Sequence, residues 1–126
     1  MTTEEIVRAY HDARFGGDVP AAEATLGDGF TFESPLTRGG ATDHLDGLPA
    51  FLGIVTGVDM ISELYGDGEA TLVYDVHTAT PVGTQRTAEH FRLRDGRIAA
   101  ITLIFDATAW RPLLAHVNRN AESTSD

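Results

Sequence analysis

Residues 10–35 decide the fold of this 126-residue chain and read YHDARFGGDVPAAEATLGDGFTFESP. The stretch begins in a helix that carries Tyr10 and breaks at Gly16-Gly17. A second short helix follows, and then an alternating segment, Phe30–Ser34, that is typical of a strand. A later strand places Glu89 among apolar neighbours. Together these pieces predict the frame of a cone-shaped pocket with a few polar groups inside.

Three helices are predicted. The first starts at a capping box, Thr2 to Glu5, and carries Ile6, Val7, Tyr10 and Ala13 on one face. The second is capped by Asp18, includes Leu26 and stops at Gly27. The third covers Asp43–Val55, where Gly47 and Pro49 favour a break into two pieces. Residues 36–42, which contain two adjacent glycines, are predicted to form a loop.

The rest of the chain is predicted to be strands and turns. The turns are 66–68, 82–83 and 94–96, each containing glycine. The expected strands after the first are Val58–Tyr65, Glu69–Thr80, Gln85–Leu93 and Arg97–Asp106. A short turn or helix follows Trp110. Residues 1–117 are expected to form one α+β domain, and 118–126 are expected to be a disordered polar tail.

The turn at 82–83 suggests which residues face the pocket. With a two-residue loop there, Val76 lies opposite Glu89 and Tyr74 lies opposite Phe91. The inner face is then Leu72, Tyr74, Val76, Thr87, Glu89, Phe91 and Leu93. The outer face places Asp75 opposite His90 and diagonal to Arg92, a favourable set of charges.

The last strand is apolar on both faces. Glu89 is expected opposite Ile101, with Ala99, Leu103 and Phe105 on the same inner side. The outer side then consists of Ile98, Ala100, Thr102 and Ile104. Because helices cover only one side of the sheet, a second copy of the chain is the expected cover for the other, in a homodimer.

The composition excludes several functions. With 9 Lys and Arg against 19 Asp and Glu, the formal net charge is −10, which disfavours binding to nucleic acid or to an anionic membrane. The chain has no cysteine, so disulfides and thiolate chemistry are excluded. The acidic start Met1-Thr-Thr-Glu-Glu does not resemble a signal peptide, and a cytoplasmic location is expected.

The spacing of Tyr10, Gly17-Asp18 and Phe32-Glu-Ser-Pro35 resembles the nuclear transport factor 2-like superfamily, as does the hairpin FRLRDGRI at 91–98. The resemblance covers residues 4 to about 110. That superfamily includes ketosteroid isomerases, SnoaL-type polyketide cyclases, limonene epoxide hydrolases and scytalone dehydratases. It implies a strongly curved mixed β-sheet that forms a cone-shaped pocket closed by N-terminal helices. It also implies a dimer through the convex sheet face.

The resemblance assigns roles residue by residue. Tyr10 matches the oxyanion-hole tyrosine of ketosteroid isomerase, and Glu89 matches its protonated oxyanion-hole aspartate. The general-base aspartate falls on Ser34, whose hydroxyl cannot take an α-proton unaided, which argues against steroid isomerisation by that mechanism. Leu103 stands where limonene epoxide hydrolase has a catalytic aspartate, which argues against epoxide hydrolysis.

Glu89, Tyr10 and His44 are the candidate catalytic residues. Burial of Glu89 among apolar side chains should raise its pKa, so that it can donate a hydrogen bond or move a proton near neutral pH. The alternative is a glutamate at the pocket rim that reaches water. Tyr10 can equally be a core residue, and His44, expected near the pocket mouth, can equally be a solvated histidine.

An aromatic, largely apolar cavity is expected to hold the ligand, and a packed core without a cavity is the alternative. Ser34 can bond the ligand or cap the turn before Pro35. The remaining candidate lining residues are Phe15, Phe30, Phe32, Phe51, Met60, Tyr74, Phe91, Leu103, Phe105 and Trp110. No metal site is predicted, because Asp75, which could chelate a metal with His77, already has His90 and Arg92 as expected partners. No cofactor is predicted either.

Two hypotheses follow. The first is a SnoaL-like, cofactor-independent isomerase, cyclase or dehydratase that acts on a small apolar compound with a carbonyl or hydroxyl group. The second is a non-catalytic ligand-binding or accessory protein on the same fold, which the serine at position 34 favours. A protein-interaction module is a third and less supported reading.

Overall fold

One curved, six-stranded sheet organises the chain in a computed structural model that describes residues 1–115. The spatial order of the strands is β2-β1-β6-β5-β4-β3. Strands β1 and β6 run parallel, and every other neighbouring pair is antiparallel. The predicted tail and the last two residues of the predicted domain lie outside the described residues.

Three helices and two strands occupy the first 52 residues, and four consecutive strands and a short helix follow them. The helices are α1 (Thr3–Phe15), α2 (Val19–Glu23) and α3 (Ala41–Leu52), and residues 110–115 are also helical. The strands are β1 (Leu26–Glu33), β2 (Arg38–Gly40), β3 (Val55–Tyr65), β4 (Glu69–Thr78), β5 (Thr84–Arg94) and β6 (Arg97–Ile104). None of the helices within residues 1–115 has the length and apolar character needed to cross a membrane.

Helix α1 starts and packs as its sequence predicts. The Thr2 side chain accepts a hydrogen bond from the Glu5 backbone, and the Glu5 carboxylate bonds back to Thr2, which completes the capping box. Three residues of its inner face, Ile6, Val7 and Tyr10, are buried. The helix contacts β4 and β6, so its inner face lies against the concave side of the sheet.

Three local predictions in the first half of the chain are wrong. Leu26 begins strand β1 instead of continuing α2, because it pairs with Ile98 of β6. The predicted loop 36–42 contains the short strand β2, which pairs with β1. Helix α3 is continuous through Gly47 and Pro49 and ends at Leu52, so Val55 begins β3 instead of ending the helix. Pro49 has no N–H to donate to the Leu45 carbonyl, and the helix continues with that one backbone hydrogen bond missing.

The register between β4 and β5 differs from the predicted one by four residues. The loop covers residues 79–83 and is closed by a hydrogen bond from the Thr78 backbone to Gly83, so it is longer than two residues. Glu89 therefore lies opposite Leu72 instead of Val76. Because four is an even number, each side chain keeps its predicted face.

The predicted charge set on the outer face is also wrong, for the same reason. Asp75 lies opposite Arg86, whose guanidinium binds its carboxylate at 2.9 and 3.0 Å. His90 lies opposite Thr71 and forms a 2.9 Å contact with Glu69. Arg92 pairs with Glu69 across the ladder instead of lying diagonal to Asp75.

A bulge changes the faces of β6. The register shifts between Arg92 and Leu93, so Ile98 pairs with Leu93 while Ala100 pairs with Arg92. The extra residue turns Ile98 into the core, where it is fully buried, and this corrects its predicted outer position. Glu89 lies opposite Leu103, and Phe91 takes the place predicted for Glu89 opposite Ile101.

Candidate functional site

A buried ion pair between α1 and β5 is the main polar feature inside the cone. The two terminal nitrogens of Arg14 donate to the two carboxylate oxygens of Glu89, from Nη1 to Oε2 at 2.6 Å and from Nη2 to Oε1 at 2.5 Å. Both side chains are almost completely shielded from solvent, with exposed fractions of 3% and 0%. This parallel two-bond geometry is the strongest form of a guanidinium–carboxylate contact.

Two further side chains complete the network. The Tyr74 hydroxyl donates to Glu89 Oε1 at 2.9 Å, and Arg14 Nη2 also lies 3.3 Å from the Tyr74 oxygen. Arg14 Nη2 makes a last contact of 3.3 Å with His11 Nδ1, one helical turn earlier. The guanidinium also lies over the rings of Tyr10 and Phe15, 4.9 and 4.6 Å from their centroids.

Tyr10 and His44 form a second buried pair. The Tyr10 hydroxyl hydrogen-bonds to Nε2 of His44, which is carried by α3. The imidazole stacks on Phe32 with 4.3 Å between ring centroids. His44 was expected near a pocket mouth, but it lies on a continuous helix and is buried against β1.

Burial sets the protonation of these side chains. Burial, and then the positive charge of Arg14, lower the pKa of His44 to about 4. The same two causes hold the pKa of His11 below its ordinary value. Burial raises the pKa of the Tyr10 and Tyr74 phenols. At neutral pH, both imidazoles are therefore neutral and both phenols keep their protons.

Glu89 has a partner that the sequence analysis did not foresee. Its oxygens accept hydrogen bonds from Arg14 and Tyr74, so the carboxylate is an acceptor within a closed network. The geometry of a free, neutral acid donating to a ligand is not the geometry found at this position.

The predicted pocket lining is distributed over three places. Phe30, Phe32, Tyr74 and Phe91 belong to the packed core, and Phe15, Phe51 and Leu103 pack at its edge. Phe105 and Trp110 form an edge-to-face pair, and the indole of Trp110 donates to Gln85 at 2.9 Å. Two of the predicted residues, Phe15 and Met60, line an open groove.

That groove lies between α1 and strands β3 and β4 and has a volume of about 500 Å³. Helix α1 supplies the residues of one wall and the two strands supply those of the other. The lining residues are Arg8, His11, Asp12, Phe15, Val58, Met60, Glu63, Tyr65 and Leu72. The groove therefore combines an apolar floor with an imidazole, a guanidinium and two carboxylates, which suits a small amphipathic ligand.

Glu63 is a carboxylate with one oxygen available to a ligand. Arg8 Nε donates to it at 3.2 Å and the Tyr65 hydroxyl donates at 2.8 Å. Within residues 1–115, both bonds end on Oε1, which leaves Oε2 as the oxygen that can meet a ligand. Both bonds lower the pKa of Glu63, and the bond from Tyr65 has the larger effect.

Ser34 has a local structural contact. Its hydroxyl accepts hydrogen bonds from the backbones of Leu36 and Thr37, each at 3.1 Å, which caps the turn after β1. In the described part of the chain, no three acidic or histidine side chains converge as a metal ion would require.

Sequence reasoning missed two residues of the buried network, Arg14 and His11. Arg14 follows Tyr10 by four residues and Val7 by seven, so it falls on the buried face of α1. A lone carboxylate on the concave face needs a cationic partner, and Arg14 is the cation on the facing helical stripe. Those two observations together were the available signal.

Solved structures resemble this chain over most of its length. A protein from Kribbella flavida is 29% identical, with a TM-score of 0.78 and coverage of 91% of this chain and 95% of that chain. An NTF2-like protein of unknown function from Cytophaga hutchinsonii is 21% identical, with a TM-score of 0.73 and coverage of 90% and 96%. A candidate polyketide cyclase from Sinorhizobium meliloti is 22% identical, with a TM-score of 0.70 and coverage of 79% and 93%.

No family model matches this chain, and no curated protein sequence does. The structural matches agree with the curved mixed sheet and with the helices on its concave side. The chain therefore has the nuclear transport factor 2-like fold.

Proposed function

We propose that this chain binds a small, largely apolar compound with a carbonyl or hydroxyl group in the groove between α1 and strands β3 and β4. It acts on that compound as a cofactor-independent isomerase, cyclase or dehydratase. The observation that carries the proposal is His11, a largely buried imidazole that lines the groove while its Nδ1 is occupied by Arg14. The resemblance to a candidate polyketide cyclase supports the same class of chemistry.

His11 is suited to stabilise negative charge on oxygen. A guanidinium has no acceptor, so Nδ1 of His11 accepts the hydrogen bond from Arg14 and the imidazole proton lies on Nε2. A neutral imidazole N–H can donate to a carbonyl oxygen as that oxygen gains charge. Because the pKa of His11 is lowered, the ring is neutral in this role at physiological pH.

Glu63 is the proton acceptor in this proposal. Its Oε2 takes a proton from the carbon next to the ligand carbonyl, and the released electron pair forms the carbon–carbon double bond of an enolate. The enolate oxygen accepts the hydrogen bond from His11 Nε2. If the ligand has a β,γ-double bond, the dienolate can take the proton back from Glu63 at its γ-carbon, which gives the conjugated isomer. If it has a β-hydroxyl, Glu63 returns the proton to the departing oxygen, and water and an α,β-double bond are formed. If the enolate carbon attacks a second carbonyl of the same molecule, Glu63 returns the proton to that oxygen and a ring is formed.

The test needs no knowledge of the natural substrate. A panel of small alicyclic and aromatic ketones is screened by saturation-transfer NMR, and the binders are incubated with the protein in D₂O. Exchange of the α-hydrogens for deuterium is then followed by proton NMR. We expect His11→Leu and Glu63→Gln each to slow the exchange about 100-fold, with much smaller changes in ketone affinity.

His90→Gln is the matched control, because His90 lies on the outer face of the sheet and bonds Thr71 and Glu69. It should leave the exchange unchanged. Equal exchange rates in the parent, His11→Leu and Glu63→Gln proteins would overturn the catalytic proposal.

A specific observation favours a second candidate function, a non-catalytic ligand-binding protein. The three side chains first proposed as catalytic, Tyr10, His44 and Glu89, are all bonded to other protein groups. A protein that binds ketones in the groove but exchanges none of their hydrogens would support this alternative.

A further inference from the structure

The geometry points to Arg14 as a positioning residue: held by Glu89, it occupies Nδ1 of His11 and so fixes the imidazole proton on Nε2, the nitrogen left for the groove. This inference rests on the proposed role of His11 and adds the residues that control it. Arg14 itself does not line the groove. It acts on a ligand only through His11.

The orientation of the guanidinium is determined from several sides. Glu89 binds both terminal nitrogens of Arg14. The guanidinium carbon, Cζ, lies over the rings of Tyr10 and Phe15. A planar group bound at two points and flanked by rings has little rotational freedom. Its remaining donor direction on Nη2 therefore meets Tyr74 and His11 in a fixed geometry.

The imidazole of His11 is held by the same set of residues. Its ring packs edge-on against Tyr74 at 5.2 Å and lies 4.8 Å from Phe15. The hydrogen bond from Arg14 then selects the tautomer, because a ring nitrogen that accepts a hydrogen bond carries no proton. Orientation and tautomer are both fixed before a ligand arrives.

The cost of the ion pair supports a positioning role. A buried ion pair is often no more stabilising than two apolar side chains of similar volume, because both charges lose their hydration. Within residues 1–115, Arg14 Nε is also buried without a hydrogen-bond partner, which adds to the cost. The orientation of His11 accounts for an arrangement that stability alone does not favour.

Several charged groups surround His11 and must be considered together. Burial is the largest influence on its pKa, and the charge of Arg14 lowers the pKa further. Glu89 on β5, Asp12 on α1 and Glu63 on β3 act in the opposite direction and more weakly. Removal of Arg14 and Glu89 together should therefore raise the pKa of His11.

The experiment compares the parent protein with a double variant, Arg14→Met and Glu89→Leu. The double variant removes both charges, so neither is left buried alone, as it would be in Arg14→Met. Proteins labelled with ¹⁵N-histidine report the protonation of each ring nitrogen by NMR, and His11→Gln identifies the His11 signals. A pH titration of the same samples gives the midpoint of His11.

We expect the parent His11 to carry its neutral-state proton on Nε2. In the double variant, a population with the proton on Nδ1 should appear and the titration midpoint of His11 should move to higher pH. The matched control is Arg86→Gln with Asp75→Asn, which breaks an exposed pair on the outer side of β4 and β5. It should change neither the His11 tautomer nor the midpoint.

Two results would overturn the inference: a parent His11 with its proton on Nδ1, or a double variant with an unchanged tautomer and midpoint. These readouts do not depend on turnover. The positioning role can therefore stand if no ketone is exchanged, and ketone exchange can stand if the tautomer is not controlled by Arg14. Where exchange is observed, the double variant should slow it while ketone affinity changes little.

Discussion

Arg14 changes the chemistry that can be assigned to Glu89. A carboxylate that accepts three hydrogen bonds, two of them from a guanidinium, holds neighbouring groups in place. The groups that can contact a ligand are His11 and Glu63, which line the groove. Arg14, Glu89 and Tyr74 thus lie behind the groove and do not themselves line it.

Protonation of His44 should destabilise the protein as the pH falls. Its pKa is about 4 in the folded state and about 6.5 when unfolded, so the unfolded state binds more protons between these values. Stability contributed by neutral His44 is present above about pH 6.5 and is lost as the pH falls towards 4. We expect this loss to be on the order of 2 kcal/mol.

Urea unfolding at pH 7.5, 5.5 and 4.5 measures this effect. His44→Gln should show a smaller decrease in the free energy of unfolding than the parent does. His77→Gln, a change at a histidine on the outer face that bonds Asp59 and Thr84, serves as the control. An identical pH dependence in the parent and His44→Gln would contradict the assignment, and His11 would then be the main source of the effect.

The sequence predicted the site only in part, and the reason is specific. The positions of Tyr10 and Glu89 on inner faces followed from the helical and strand periods and agree with the structure. Arg14 was missed because an arginine on a helix is usually exposed, and its burial depends on a carboxylate 75 residues away. The burial of an ion pair between distant residues depends on the tertiary structure, and the sequence pattern around Arg14 alone does not indicate it.

At the scale of elements, the side of the sheet that each strand residue faces was predicted better than its partner on the neighbouring strand. The inner row of β4 and β5 is correct because a two-residue alternation survives any even shift. The partners across the ladder were wrong because the length of the loop at 79–83 depends on hydrogen bonds that composition does not reveal. The bulge that buries Ile98 was missed for a similar reason.

Strand β2 and helix α3 approach each other so closely that Gly39 cannot be enlarged without movement. A Cβ at Gly39 would lie 2.7 Å from Asp43 Oδ2 and 2.9 Å from Asp43 Cβ. Gly39→Ala should therefore displace the start of α3, which carries His44, and cost about 1–3 kcal/mol of unfolding free energy.

Gly40→Ala is the neighbouring control, because its nearest contact would be an ordinary 3.7 Å from the Phe30 carbonyl. It should leave stability unchanged or slightly increase it. Chemical denaturation measures both variants, and NMR of His44 reports displacement of the helix. Asp43→Gly in the Gly39→Ala background should restore part of the loss, and no recovery would show that the contact with Asp43 is not the cause.

At the scale of the whole molecule, the convex face of the sheet combines apolar and charged residues. Val73, Ala88 and Ile104 lie in one row across β4, β5 and β6, and Ile104 is 60% exposed. The flanking positions carry the pairs Asp75–Arg86 and Glu69–His90. An apolar row between matched charges is a surface that two identical copies can share across a two-fold axis.

The segment after β6 leaves this row open in the described part of the chain. Trp110 bonds Gln85, which lies on the same face of β5 as Thr87 and Glu89, so the segment packs at the concave side. The alternative to a dimer is a monomer whose C-terminal segment folds over the convex row. The position of Trp110 is evidence against that cover for residues up to 115.

We therefore predict a homodimer through the convex face, and the substitution that tests it is Ile104→Glu. Two copies of an unpaired carboxylate would be buried near the symmetry axis, which should raise the dimer dissociation constant by at least about 100-fold. The control is Leu114→Glu, which places the same charge on a 41% exposed apolar residue of the helix at 110–115, the segment that packs at the concave side. Light scattering coupled to size exclusion at micromolar concentration should give a dimer for the parent and for Leu114→Glu, and a monomer for Ile104→Glu. A monomeric parent would contradict the prediction, and dissociation by Leu114→Glu alone would place the interface at that helix.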